Sequence, residues 1–170
     1  MTMDDLVEKN GLYYKKFSFV PYTGGISGYK VEGDAAFSEK GSLSKGKKNG
    51  EWLTFYENGE LYSKGNFKNG KQEGLWGNYH ENGELYSNGN FKDGKEEGLW
   101  EYYHENGIFY SKGNLNNGKL EGLWKYYHDN GKLKEKGNFK DGKREGLWDY
   151  YHYNGQFSKK ENFKDGYEIK

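Results

Sequence analysis

The sequence predicts an all-β protein: an elongated single-layer antiparallel β-meander of tandem 24-residue β-hairpins. Three observations carry that expectation. Tryptophan recurs at Trp52, Trp76, Trp100, Trp124 and Trp148, always 24 residues apart. Each period holds two turn dipeptides, for example Asn106-Gly107 and Asn117-Gly118. Between the turns, apolar and polar residues alternate as they do along half-buried strands. A period this short marks a stack of units, none of which can bury its hydrophobic face alone.

Composition agrees. The 170 residues include 27 Gly and one Pro, a ratio that suits hairpin turns better than disordered linkers. Aromatics supply 19% of the chain, with 17 Tyr, so burial must come mostly from rings. The 26 basic and 26 acidic side chains cancel, which leaves no electrostatic footprint for nucleic acid or anionic lipid. Cysteine is absent, which removes disulfides and thiolate metal sites. No stretch is long enough to span a bilayer. Met1 to Asn10 carries no charged-then-apolar leader, which reads as cytoplasmic. A chain that begins at the mature terminus of an exported protein would instead be secreted or cell-surface.

Taken in order, residues 1–27 are out of phase with the repeat and hold Pro21, the expectation for an N-terminal cap. The repeat domain then covers 28–170. Residues 37–50 match a repeat lacking its Trp strand, with Phe37, Gly41, Leu43, Gly46 and Gly50 in phase. Units starting near 52, 76, 100, 124 and 148 follow, the last truncated. About eleven strands at ~4.8 Å spacing would give a right-twisted ribbon roughly 50 Å long. Lys159, Lys160 and Glu161 would blunt its final strand, and open edge strands would offer a route to self-association.

Register follows from the turns. Asn58-Gly59, Asn82-Gly83, Asn106-Gly107, Asn130-Gly131 and Asn154-Gly155 form one set, and the Asn/Asp-Gly pairs at 69, 93, 117, 141 and 165 the other. Both are expected as type I′ turns. A two-residue turn at Asn106-Gly107 places Trp100 opposite Gly113 and Tyr103 opposite Tyr110. By the same rule Trp52, Trp76 and Trp124 face Gly65, Gly89 and Gly137, a ring against a missing side chain. Trp148 faces Glu161, which fits a terminal, less covered repeat. The core face then carries Trp100, Tyr102, His104, Phe109, Gly113 and Leu115. The wet face carries Glu101, Tyr103, Tyr110, Lys112 and Asn114. The candidate partner-binding surface is the tyrosine set of that wet face: Tyr79, Tyr86, Tyr103, Tyr110, Tyr127 and Tyr151.

Catalytic readings find little footing. His80, His104, His128 and His152 form a column, but equivalent strands lie roughly 9–10 Å apart. Zn–N bonds of about 2.0–2.1 Å cannot span that gap, so no metal site is expected. Glu73, Glu97, Glu121 and Glu145 repeat beside lysines as a solvated set, without the cleft that acid–base chemistry needs. Ser87 and Ser111 recur without Ser-His-Asp logic. The glycine phrases lack a phosphate loop's strand–loop–helix context. No catalytic residue and no cofactor are expected.

The unit G-x-W-x-x-Y-x-x-N-G-x-L-x-x-x-G-x-F-x-x-G-K-x-x-G resembles the bacterial variant of the MORN repeat over about residues 37–166. The lead-in from Asp5 to Phe17, with Pro21 and Thr23-Gly24, is similar to the start of such proteins. The resemblance implies an antiparallel meander used for binding, and some relatives carry the label of YwqK-type antitoxins. It makes a non-enzymatic protein-binding module, with an antitoxin or immunity role, the leading expectation, its partner a protein. Two alternatives stand beside it. Trp-x-Tyr-Tyr phrases are similar to wall-binding hairpin repeats, which implies glycan binding. Eukaryotic relatives imply a phospholipid-associated scaffold, which zero net charge disfavours.

Overall fold

The computed structural model describes residues 1–32 and 35–169; the side chains of residues 29–37, Phe37 among them, lie outside the described ones. The chain forms two compact units, Met1–Gly83 with Phe91–Gly94, and Glu84–Asn90 with Lys95–Lys170. Both are built from antiparallel hairpins, and the only helical element among the described residues is a 3-10 turn at Met3–Asp5.

The first unit opens with a separate hairpin, β1 (Leu6–Lys9) and β2 (Leu12–Lys15). The main sheet follows: β3 (Gly24–Glu32), β4 (Ala35–Ser44), β6 (Gly50–Phe55), β7 (Leu61–Lys68) and β8 (Lys71–Tyr79), paired in that order, with the short β5 (Lys47–Lys48) also on β4. Met3 and Leu6 pack on Ile26, Leu43 and Trp52, with Tyr13, Tyr22 and Phe67 around them. The out-of-phase N-terminal residues thus cover the face of the partial repeat and its first tryptophan.

The second unit is a meander in chain order. It runs through β9 (Leu85–Lys92, whose last two residues group with the first unit), β10 (Lys95–Tyr103), β11 (Phe109–Asn116) and β12 (Lys119–Tyr127). It continues through β13 (Leu133–Lys140), β14 (Lys143–Tyr151), β15 (Phe157–Lys164) and β16 (Tyr167–Ile169).

The two turn sets differ. Asn69, Asp93, Asn117, Asp141 and Asp165 have φ of 50–53°, each followed by Gly at 80–89°, the type I′ signature expected for both sets. The asparagines of the other set are not in the left-handed region; only their glycines are. There His104 O accepts from Gly107 N at 2.9 Å and His104 N donates to Ile108 O at 2.8 Å. That is a three-residue loop, a type I turn closed by a left-handed glycine. Tyr103 consequently pairs with Phe109, not with Tyr110 as the two-residue turn required. Tyr110 is then an extra residue in a β-bulge, and the register returns at Tyr102↔Ser111, Glu101↔Lys112 and Trp100↔Gly113.

A second irregularity lies between hairpins. Asn114 pairs with Glu121, but Lys112 pairs with Lys125, so Gly122, Leu123 and Trp124 together oppose Gly113. Gly122, at φ 67°, supplies the backbone that the excursion needs. The tryptophan is thereby carried toward the preceding hairpin. A Cβ on Gly113 would lie 2.4 Å from Trp124 Cδ2, and the same holds for Gly41 under Trp52, Gly65 under Trp76, Gly89 under Trp100 and Gly137 under Trp148. Each ring therefore covers not the glycine it pairs with but the glycine one hairpin earlier.

The last repeat is less covered, but on its second strand: Trp148 is fully buried, whereas no residue of Phe157–Lys164 is. Glu161 pairs with the buried Trp148, so a tryptophan does not require glycine as its cross-strand partner. The rings also hydrogen-bond backward. Nε1 of Trp76, Trp100, Trp124 and Trp148 donates to the carbonyl of Asn66, Asn90, Asn114 and Asn138 at 2.9–3.3 Å.

Candidate interaction surface

The bulge sorts the expected tyrosine set onto two faces. On the tryptophan face of the second unit, Trp100, Tyr102, Trp124, Tyr126 and Trp148 follow one another at centroid steps of 6.0–6.3 Å. Tyr86 and Tyr110 meet this row edge-on, against Tyr102 at 6.2 Å and Tyr126 at 6.3 Å. Both belong to the Trp side, and about half of each is exposed. The phenols of the row are poor acids: burial, then Glu135, pushes Tyr126 up to about 12.

The reverse face holds Tyr103, Tyr127 and Tyr151, joined by Phe109, which the alternation had placed in the core. Phe109 stacks on Tyr103 at 4.7 Å and meets Tyr127 at 6.0 Å, with Lys112 Nζ 4.2 Å above its ring. Tyr103 donates to Glu101 at 3.2 Å. In the first unit Tyr79 curls over Gly77, its hydroxyl 3.3 Å from where a Cβ would stand. These four tyrosines are half-buried rather than wet. Burial, with Glu101 next, raises the Tyr103 phenol to about 12.

Two apolar features were not singled out in the sequence. The leucine of each Gly-Leu-Trp phrase, on the other side of the strand from its tryptophan, is exposed: Leu75 65%, Leu99 54%, Leu123 50% and Leu147 57%. Their invariable spacing was a usable signal, overshadowed by the neighbouring tryptophan. In the first unit, Phe17, Phe19 and Val20 stand exposed in the loop after β2. Beside the leucines of the second unit runs a charge row. Lys112↔Lys125 and Lys125↔Lys136 are like-charged pairs, and Asp149 lies 3.6 Å from Lys136 and 3.2 Å from Lys160.

The polar columns serve the architecture. His104 and His128 reach the carbonyls of Tyr127 and Tyr151 in the next hairpin through Nε2, at 3.5 and 3.2 Å. Glu73, Glu97, Glu121 and Glu145 accept from the backbone N–H of Asp93, Asn117, Asp141 and Asp165 at 3.0–3.1 Å. The glutamates are therefore turn caps between hairpins, not merely solvated groups. Asn106 and Asn130 bridge likewise, from Nδ2 to the carbonyls of Asp129 and Tyr153. Ser63, Ser87 and Ser111 are buried. Among the described residues no group of three His, Cys, Asp or Glu could hold a metal ion, and no helix is long and apolar enough to cross a membrane.

These are the marks of a tandem-hairpin repeat protein whose polar repeats hold one hairpin to the next. The MORN repeat variant family matches residues 48–69, 72–93, 96–117 and 120–141, more than half of the chain, and the chain belongs to that family. Among solved structures it is similar to one titled "Crystal Structure of TarM", at 17% identity and a TM-score of 0.31. That likeness covers 68% of this chain and 21% of that one. No curated protein matches.

Proposed function

We propose that the chain is a non-catalytic protein-binding module, and that the second unit docks its partner on the face opposite the tryptophans. One observation carries this reading: Leu99, Leu123 and Leu147 stand at least half exposed on the strands that carry Tyr103, Tyr127 and Tyr151. Exposed apolar side chains repeated along one face are a docking signature, and aromatic residues are enriched at the centre of protein interfaces. The lysine-rich row of Lys112, Lys125, Lys136 and Lys160 favours a partner with acidic groups around an apolar patch. An antitoxin or immunity role is the finer form of this proposal: the captured partner would be a toxin held inactive.

The test is quantitative capture from source-cell lysate with wild type and with Leu99→Ser/Leu123→Ser/Leu147→Ser, whose melting temperature should stay near wild type because the leucines are exposed. A partner enriched on wild type and lost on the variant supports the docking face. Equal capture removes it. For the antitoxin form, the captured partner expressed alone should arrest growth, and co-expression with this chain should relieve it. A harmless partner removes that form alone.

A further inference from the structure

Two repeats of the sheet seat a cation on their tryptophan. In the first unit Lys48 Nζ lies 4.2 Å from the Trp52 ring and 5.4 Å from Phe67, and pairs with Glu39 at 3.2 Å. In the second, Arg144 Cζ lies 4.1 Å from Trp148 and 5.4 Å from Phe163, and the guanidinium reaches Glu135 at 3.0 Å and the Tyr150 hydroxyl at 2.7 Å. Lys48 and Arg144 occupy the same repeat position, and so do Glu39 and Glu135. A cation over an indole is attracted by the ring quadrupole, more so when partly desolvated.

The intervening repeats abandon the pair together. At the cation position stand Gln72, Glu96 and Leu120; at the carboxylate position stand Ser63, Ser87 and Ser111. Gln72 and Leu120 leave those repeats neutral. Glu96 does not: it inverts the charge of the seat. Among the described residues its half-buried carboxylate has no hydrogen-bond or ion-pair partner, whereas the side chains of Lys48, Glu39, Arg144 and Glu135 all have one. Burial pushes the Glu96 carboxyl above its ordinary value, and its charge is felt by the phenol of Tyr102, the ring stacked on Trp100. A half-buried carboxylate without a counter-charge carries a partial desolvation penalty that a partner's cation would offset.

We propose that Glu96 receives the guanidinium or ammonium of an Arg or Lys side chain from a partner protein, laid on the aromatic row as Arg144 is laid on Trp148. The complement is intermolecular in this repeat because the repeat's own cation has been replaced by the acid. This site lies on the tryptophan face, and its fate is independent of the docking face proposed above.

The probe is an N-acetylated, C-amidated tetra-arginine peptide, titrated calorimetrically at low ionic strength, where exposed charges are least screened. Glu96→Gln should weaken binding about tenfold, the effect of losing one charge-assisted pair. Glu168→Gln, which removes an equal charge from an exposed strand end, should change it less than about twofold. Glu96→Arg combined with Ser87→Glu rebuilds the Arg144–Glu135 pair and should abolish binding while raising the melting temperature. Position 96 tolerates these side chains, since its equivalents are Lys48, Gln72, Leu120 and Arg144. Equal losses in Glu96→Gln and Glu168→Gln, undiminished binding in the double variant, or no binding to wild type would each overturn the proposal.

Discussion

Gly113→Ala is the sharpest perturbation of this fold, because two tryptophans have a claim on that glycine. Trp100 is its cross-strand partner, and Trp124 is the ring that covers it. Gly113 is not among the positive-φ residues, so alanine brings no backbone strain. It brings a methyl 2.4 Å from Trp124 Cδ2 and 2.5 Å from Cε2 and Cγ. Carbon contacts relax near about 3.5–4.0 Å, so the ring must retreat by more than about 1 Å. Retreat stretches the 2.9 Å bond from Trp124 Nε1 to Asn114 O. Overpacking costs about 1–3 kcal/mol and a weakened buried hydrogen bond about 0.5–1.5 kcal/mol, so the loss should be about 2–4 kcal/mol. A double-mutant cycle then decides which tryptophan is responsible. Urea unfolding followed by circular dichroism should give a coupling of about 1.5–3 kcal/mol between Gly113→Ala and Trp124→Leu, because the smaller side chain leaves room for the methyl. The coupling to Trp100→Leu should be near zero. Coupling to Trp100 instead would refute the backward packing and restore simple cross-strand coverage.

The two turn sets should answer glycine differently. Asp141→Gly should be near neutral, because φ at Asp141 is already 50°, whereas Asn106→Gly loses the bonds to Ile108 N and Asp129 O and should cost about 1–2 kcal/mol in urea unfolding; equal effects would show that the sets are one turn type. Alkali should destabilise the second unit through its buried phenols. Tyr126 sits at about 12 in the fold against about 10 unfolded, so the unfolded chain releases this proton first. Its contribution is complete below about pH 10 and lost as pH rises through about 12. Tyr126→Phe should flatten the fall in melting temperature across that window, and an unchanged slope would exclude Tyr126 as its source.

The Trp–Gly register was legible in the sequence partly because two departures offset one another. The asparagine–glycine loop is a residue longer than a type I′ turn, and the bulge at Tyr110 restores the register before it reaches Ser111. Counting from the turn therefore reaches Gly113 correctly from a wrong loop. Between loop and bulge the count fails, and that stretch holds Phe109 and Tyr110. Alternation put the first in the core and the second on the wet face; the bulge exchanges them. A single residue can reverse faces because side-chain direction has a period of two. Two of the six expected tyrosines, Tyr86 and Tyr110, lie in that stretch of their repeats, so the rings of the set lie on both sides. Asn-Gly is compatible with both turn types, and nothing local distinguishes Asn106 from Asn117.

The glycines were legible in position but not in cause. Opposition between Trp100 and Gly113 suggested that a strand makes room for its own hairpin partner. The three-residue excursion at Gly122, Leu123 and Trp124 instead carries each ring back one hairpin. A glycine at this position therefore depends on the tryptophan that comes after it in the chain. That dependence accounts for Gly41, which precedes any Trp strand of its own. The same logic explains why the leucine between them faces out. Gly122 gives the chain its left-handed step, Trp124 takes the buried direction, and Leu123 is left exposed. The phrase that locks one hairpin onto another thus also presents an apolar side chain once per repeat. In this family member the proposed docking surface is a geometric consequence of the packing device.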